Sequence, residues 1–152
     1  LSLIKEAVKY NNDRKKSMFD KVKRSVKSLS NKKVAVLGLS FKPETDDMRD
    51  SPSIFIVSEL VNHKANVYVY DPVAMREAKN IFKTNVNYVE SANKCINGSD
   101  IIVIVTEWNE FRSLEANYLK KIMRGKVVVD LRNIFDPRSM EKAGISYISV
   151  GR

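Results

Sequence analysis

Three cations stand in settings that could hold a phosphorylated ligand. Lys42 and Arg49 lie within the stretch Gly38-Leu-Ser-Phe-Lys-Pro-Glu-Thr-Asp-Asp-Met-Arg-Asp-Ser-Pro, and Arg132 lies in Asp130-Leu-Arg-Asn. Lys42 precedes a proline in a turn opened by a glycine, so its backbone is restricted. Two cations fixed at one rim suit a diphosphate, since charge-assisted hydrogen bonds are about twice as strong as neutral ones. A second cluster, Glu107, Trp108 and Phe111, offers the flat surface that a nucleotide base would need. Each residue also has a plain structural reading. Lys42 could be a surface lysine, and Arg49 could pair with Asp46, Asp47 or Asp50. Trp108 could be a packing anchor, and Asp130 could hold Arg132.

Several chemistries are set aside. There is no G-x-G-x-x-G, no Walker loop and no G-x-S-x-G, and His and Cys do not cluster at metal-ligand spacing. The acidic group Glu44, Asp46, Asp47 and Asp50 could mimic a divalent-metal loop, but a lysine and an arginine flank it. Thr45 and Ser51 are expected to cap the turn and the following helix with their side-chain oxygens. The single cysteine, Cys95, can make no internal disulfide, which is compatible with a reducing cytosol. It sits in a short helical pattern, and the only histidine is His63, so the cysteine reads as structural rather than nucleophilic.

Positioning these residues requires an alternation of strands and helices. Val34–Leu39 reads as the first strand, and Pro52–Lys64 as a helix with Ile54, Val57, Leu60 and Val61 inward. Asn66–Tyr70 is the second strand, Val73–Phe82 a helix, and Val86–Val89 a short third strand. Ser91–Asn97 is a small helix closed by Gly98. Ile101–Thr106 is continuously apolar, as a central parallel strand covered on both faces would be. A helix over Leu114–Met123, a strand over Val127–Leu131, a helix from Asp136-Pro137 to Gly144 and a strand over Ile145–Val150 complete the pattern. The expected class is α/β: a doubly wound, mainly parallel, six-stranded Rossmann-like sheet with right-handed crossovers. In the strand order 3-2-1-4-5-6, the sheet reverses direction between strands one and four. The loops bearing Phe41, Lys42 and Arg49, then Glu107, Trp108 and Phe111, then Arg132 and Asn133, would then meet at one carboxyl-end crevice.

Ahead of this domain, residues 3–29 carry no glycine or proline and read as one long helix or two shorter ones, with NNDRKK interrupting the apolar stripe. The net charge of +9 resides almost wholly here: residues 1–33 hold 11 Lys/Arg against 3 Asp/Glu, and residues 34–152 hold 16 against 15. Met18, Phe19, Val22, Val26 and Leu29 fall at helical spacing, leaving the lysines on the other face. That face reads as solvated, with a polyanion or membrane-surface contact as the alternative. No apolar run approaches the ~18–20 residues needed to cross a bilayer. The chain of 152 residues begins without Met and is expected to be a piece of something longer.

Four motifs in register, Phe-Lys-Pro-x-Thr-Asp-Asp-x-Arg-x-Ser-Pro (41–52), Tyr-Asp-Pro (70–72), Thr-Glu-Trp-x-x-Phe (106–111) and Asp-x-Arg-Asn (130–133), resemble the C-terminal, UDP-binding domain of the UDP-glucose/GDP-mannose dehydrogenase family. The resemblance covers 34–152, and residues 1–33 resemble the end of that family's central helical and dimerisation region. It implies a cytoplasmic, NAD-dependent, homodimeric enzyme that oxidises the 6-hydroxyl of UDP-glucose twice, to UDP-glucuronate. By position, Phe41, Lys42 and Arg132 resemble substrate contacts, and Arg49 resembles an arginine that reaches the NAD pyrophosphate. The family's catalytic cysteine motif and its N-terminal NAD-binding domain have no counterpart here, and Cys95 does not match that cysteine. The chain alone is therefore expected to be inactive. Thr106-Glu107-Trp108 leans toward UDP-glucose, with UDP-N-acetylmannosamine or GDP-mannose as the alternative substrates. A non-catalytic nucleotide- or polyanion-binding module using the basic helix is the alternative of another class.

Overall fold

The strand β4 (Ile101–Ile104) has all four residues buried, and it forms the middle of a six-stranded sheet. The computed structural model describes residues 2–152, and the strand order in it is β3-β2-β1-β4-β5-β6. The other strands are β1 (Lys33–Leu37), β2 (Asn66–Tyr70), β3 (Asn87–Tyr88), β5 (Val127–Asp130) and β6 (Ser146–Ser149). Every pairing is parallel. The architecture is thus the doubly wound, Rossmann-like α/β fold that the alternation of elements predicts, with the reversal between β1 and β4.

Side chains alternate across the sheet and build one core on each face. Val34 and Val36 of β1 join Val67, Val69, Ile101, Val103 and Val129 against α1 (Ser2–Arg24), α2 (Pro52–Asn62) and α3 (Met75–Phe82). Ala35 and Leu37 join Ile102, Ile104 and Val128 against α4 (Ala92–Ile96), α5 (Asn109–Arg112), α6 (Ala116–Ile122) and α7 (Pro137–Lys142). Cys95 belongs to this second core.

Element ends mostly agree with the sequence pattern to within a few residues, and the departures have physical causes. On α2 the expected inward residues Ile54 and Val61 are only half-buried, while Ser53 and Ile56 take buried positions. The helix is turned because the Ser51 and Ser53 hydroxyls both donate to the Leu39 carbonyl, at 2.8 and 2.7 Å. The short helix α5 was not predicted; a single turn gives little periodicity to read.

The polar run NNDRKK does not break α1, which is one helix. It ends at Arg24 rather than near 29, and Leu29 is buried from the turn that follows. Only its last turns are covered, through Met18, Phe19 and Val22, and Phe19 lies 5.1 Å from the His63 ring. Residues 2–14 are exposed, among them Leu3, Ile4, Val8 and Tyr10. No described helix is long and apolar enough to cross a membrane.

Candidate functional site

At the carboxyl edge of the sheet, Tyr70, Leu37, Ile104, Asp130 and Ser149 stand in one row across β2, β1, β4, β5 and β6. The loops leaving β1 and β5 therefore both border β4. Their roots are separated by about two strand spacings, roughly 10 Å.

The β1 loop is drawn tightly against β4. Gly38 has φ +93°, and a Cβ there would lie 2.5 Å from the Thr106 Cβ and backbone N. Only glycine meets both conditions. The close approach lets the Thr106 hydroxyl donate to the Ser40 carbonyl at 2.7 Å.

A second tie comes from Asp71, a fully buried carboxylate. Its Oδ2 accepts from Leu39 N (2.7 Å), Ser40 N (3.0 Å), Ser40 Oγ (3.2 Å) and Trp108 Nε1 (3.2 Å). Its Oδ1 accepts from Val73 N and Ala74 N, each at 2.9 Å. One charge thus gathers the loops after β1, β2 and β4. Sequence reasoning gave Asp71 no role, although Tyr70-Asp71-Pro72 marked the place: an aspartate at the end of a buried strand faces the free N–H groups of neighbouring loops.

Asp130 plays the matching part after β5. It is fully buried and accepts from Arg132 N (3.1 Å), Ile134 N (2.9 Å), Phe135 N (3.0 Å) and the Tyr147 hydroxyl (2.6 Å). Asn133 takes φ 55° and exchanges two hydrogen bonds with Val150 of the chain end, at 2.8 and 2.9 Å. The Arg132 guanidinium does not rest on Asp130, as one sequence reading allowed. It pairs with Glu107 after β4, Nε to Oε2 at 2.6 Å, and Nη2 also contacts Oε2. Asp130 already accepts from three backbone N–H groups and the tyrosine hydroxyl, and it is Glu107 that takes the arginine.

The remaining candidates divide into rim and core. Phe41 and Lys42 are exposed on the β1 loop, and the Lys42 carbonyl accepts from the Ser40 hydroxyl at 2.9 Å. Arg49 is also on the rim, its side chain 88% exposed, and it forms a two-point pair with Asp47 at 3.0 and 2.9 Å. That arginine holds the Asp47 carboxyl down at about 2. Thr45 caps the turn by accepting from Asp47 N at 3.2 Å, and Ser51 caps α2 by accepting from Ser53 N. Trp108 and Phe111 turn inward, 5% and 0% exposed, and both pack in the second core rather than presenting a face to solvent. Tyr70 donates to Glu110 at 2.9 Å beside them, and burial raises its hydroxyl to about 12.

Cys95 is fully buried, and burial pushes its thiol up to about 12. That is the opposite of what a nucleophile needs. Among the hollows at the surface, one of about 540 Å³ lies between the Thr45–Arg49 turn and Glu77 and Ile81, and one of about 410 Å³ between Arg112–Asn117 and α7. Arg49 borders the first; neither is lined by Lys42 or Arg132.

Comparison with known proteins bears on the same stretch. Residues 35–137 match the family described as "UDP-glucose/GDP-mannose dehydrogenase family, UDP binding domain". A UDP-glucose 6-dehydrogenase of Rhizobium meliloti is 40% identical over 151 residues, covering 99% of this chain and 34% of the relative. One from Bacillus subtilis is 35% identical over 150 residues, with the same coverages. Among solved structures, a UDP-glucose dehydrogenase from Pyrobaculum islandicum superposes with a TM-score of 0.79 at 31% identity, covering 95% of this chain and 31% of that one. The chain spans about a third of the length of the relatives it matches.

Proposed function

The chain belongs to the UDP-glucose/GDP-mannose dehydrogenase family, and from that membership we propose that residues 34–152 form the UDP-sugar-binding domain of an NAD-dependent, cytoplasmic dehydrogenase that oxidises UDP-glucose to UDP-glucuronate. The observation that carries this reading is the tied rim. Lys42 and Arg132 leave strands on either side of β4, and both of their loops are pinned to it, one through Thr106 and Ser40, the other through Glu107. A gap of roughly 10 Å between two strand roots suits two long cationic side chains closing on one diphosphate. Phe41, exposed next to Lys42, supplies an apolar surface at the same rim.

NAD belongs to another part of such an enzyme. In this chain the β1 crossing holds only Gly38 where a dinucleotide cradle needs three glycines. Arg49, exposed and oriented by Asp47, is the one group here suited to reach a pyrophosphate held elsewhere. In this reading residues 1–33 are the end of a central helical region that contributes to a homodimer, and an NAD-binding domain completes the cleft.

A titration tests the proposal. The chain should bind UDP and UDP-glucose in preference to bulk polyanions, and Lys42→Ala and Arg132→Ala should each weaken UDP binding about tenfold, the scale of one hydrogen bond to a charged group. With UDP-glucose it should reduce no NAD. Binding to DNA that falls steeply with salt, with no response to UDP, would instead favour a polyanion-binding module built on α1.

A further inference from the structure

Arg132 is gripped from one side. Its Nε–H and an Nη2 N–H are both directed to Oε2 of Glu107, and its Nη1 has no hydrogen-bond acceptor among the described residues. A guanidinium carries five N–H bonds in a rigid planar fork. Glu107 engages two of them on the Nε side. Three are left, two of them parallel along the Nη1/Nη2 edge, an edge that matches two oxygens of a phosphate. The pair is largely covered, with 31% of the arginine side chain and 20% of the glutamate exposed, so salt screens it less than the Arg49–Asp47 pair at the rim. The backbone beneath is equally fixed. Arg132 N donates to Asp130, and Asn133 is locked to Val150.

We propose that Glu107 is a positioning residue for an anionic ligand. It holds the Nε side of Arg132 and so presents the Nη1/Nη2 edge to one phosphate of a nucleoside diphosphate, without touching the ligand itself. This rests on the reading of Arg132 as a phosphate contact. Glu107 meets the side edge, so the end-on edge, with its own two parallel N–H bonds, is left open to a phosphate. A free guanidinium on a flexible stem must lose rotamer freedom when it binds, and Glu107 removes that loss beforehand.

The test is titration of the chain with UDP and with uridine, which lacks the phosphates, together with thermal melting of each variant. Glu107→Ala should raise the Kd for UDP about tenfold and leave that for uridine within about twofold. Glu107→Gln retains an acceptor oxygen and should recover part of the loss. On an Arg132→Ala background, Glu107→Ala should have less than about a twofold further effect on UDP, since the two act as a unit. Tighter UDP binding in Glu107→Ala would make Glu107 a competitor of the ligand and overturn the proposal. Equal losses for UDP and uridine, or a lowered melting temperature with an unchanged UDP-to-uridine ratio, would reduce it to fold support and overturn it too. A normal loss in Arg132→Ala with neutral Glu107 variants sinks this inference alone. No loss in Arg132→Ala, or no binding of UDP by the wild type, sinks the reading beneath it.

Discussion

Trp108, after β4, donates its indole N–H to Asp71, after β2, at 3.2 Å, although β1 lies between those two strands. The bond passes over the carboxyl end of β1, where Leu39 and Ser40 donate to the same oxygen. The Phe41-Lys42 loop therefore starts from backbone held on both sides.

Asp71→Asn is the sharpest probe of that arrangement. An amide keeps one acceptor oxygen and turns an NH2 toward groups that are themselves donors. Whichever way it is oriented, at least two backbone N–H groups, one or both of them buried, are orphaned. At about 1–3 kcal/mol for each unsatisfied group, the loss should be about 3 kcal/mol or more. Urea unfolding would measure it, and UDP affinity should fall in the same variant. A variant with unchanged stability would show that the carboxylate does not hold the loops.

Gly38→Ala should be as damaging for a different reason. The positive φ alone costs about 1 kcal/mol in a residue with a Cβ, and here that Cβ would lie 2.5 Å from Thr106. Relief requires β1 and β4 loops to separate, which breaks the Thr106–Ser40 bond. A total loss of about 3 kcal/mol is expected. Thr106→Ser, which removes the methyl but keeps the hydroxyl, should be tolerated but should not rescue the alanine, because the Cβ, the hydroxyl oxygen and the backbone N that crowd position 38 all remain. A Gly38→Ala chain as stable as wild type would mean that the two loops can part freely.

Much of this framework was legible from residue types. The run Ile101–Ile104 announced a strand buried on both faces, and Ser51-Pro52 announced the start of α2. The rim position of Lys42 and Arg49 was legible because the turn that carries them follows a buried strand and so must emerge at the edge of the sheet. Three things were hidden. The role of Asp71 depends on donors 30 or more residues away, and that of Asp130 on one 17 residues away, each together with short-range ones, so no spacing rule exposes them. The Arg132–Glu107 pair joins loops of two strands, and a sequence shows only that Asp130 is closer along the chain. Trp108 and Phe111 looked like a flat wall for a ligand because an aromatic at a strand end reads the same whether it faces in or out; α5 turns both of them inward.

Alkaline solution should weaken the fold through Cys95 and Tyr70. Burial raises both groups, Cys95 from 9.0 and Tyr70 from 10.0, each to about 12. The folded chain thus holds these protons more tightly than the unfolded one. Their contribution is complete below pH 9.0, begins to fall once the unfolded thiol ionises, and is lost by about pH 12. Cys95→Ala should flatten the first part of the decline, between 9.0 and 10.0, in unfolding midpoints measured against pH. Ellman's reagent should label Cys95 only as fast as the protein opens. Rapid labelling of the folded chain would contradict the burial on which this rests.

At the opposite edge of the sheet the sign reverses. Asp100 accepts from Arg124 at 2.9 and 2.5 Å and from Lys33 N at 2.9 Å, linking the starts of β1, β4 and β5. The Arg124 guanidinium beside it, followed by the Lys33 amide, holds its carboxyl below the ordinary 3.8, with burial working the other way. That stabilisation is present above pH 3.8 and disappears as pH falls through the lowered value in the folded chain. Asp100→Asn should therefore be less stable than wild type at neutral pH and converge with it in acid. Parallel curves for the two would rule out the carboxylate as the source.

The exposed half of α1 bears on assembly. Ile4, Val8, Met18 and Val22 share one heptad-spaced face, with Asn11 and Lys15 between the two apolar pairs. The domain covers Met18 and Val22 and leaves Ile4 and Val8 at 67% and 54% exposure. If residues 1–33 contribute to a homodimer, these two side chains and Leu3 are where it gains its apolar contact, at about 1.5–3 kcal/mol for each fully buried residue. Ile4→Glu with Val8→Glu should then shift sedimentation toward monomer. It should leave the chain's unfolding free energy at low concentration within about 0.5 kcal/mol, because neither residue touches the sheet domain. A wild-type chain that stays monomeric at high concentration, with the double variant indistinguishable from it, would remove this helix from the assembly.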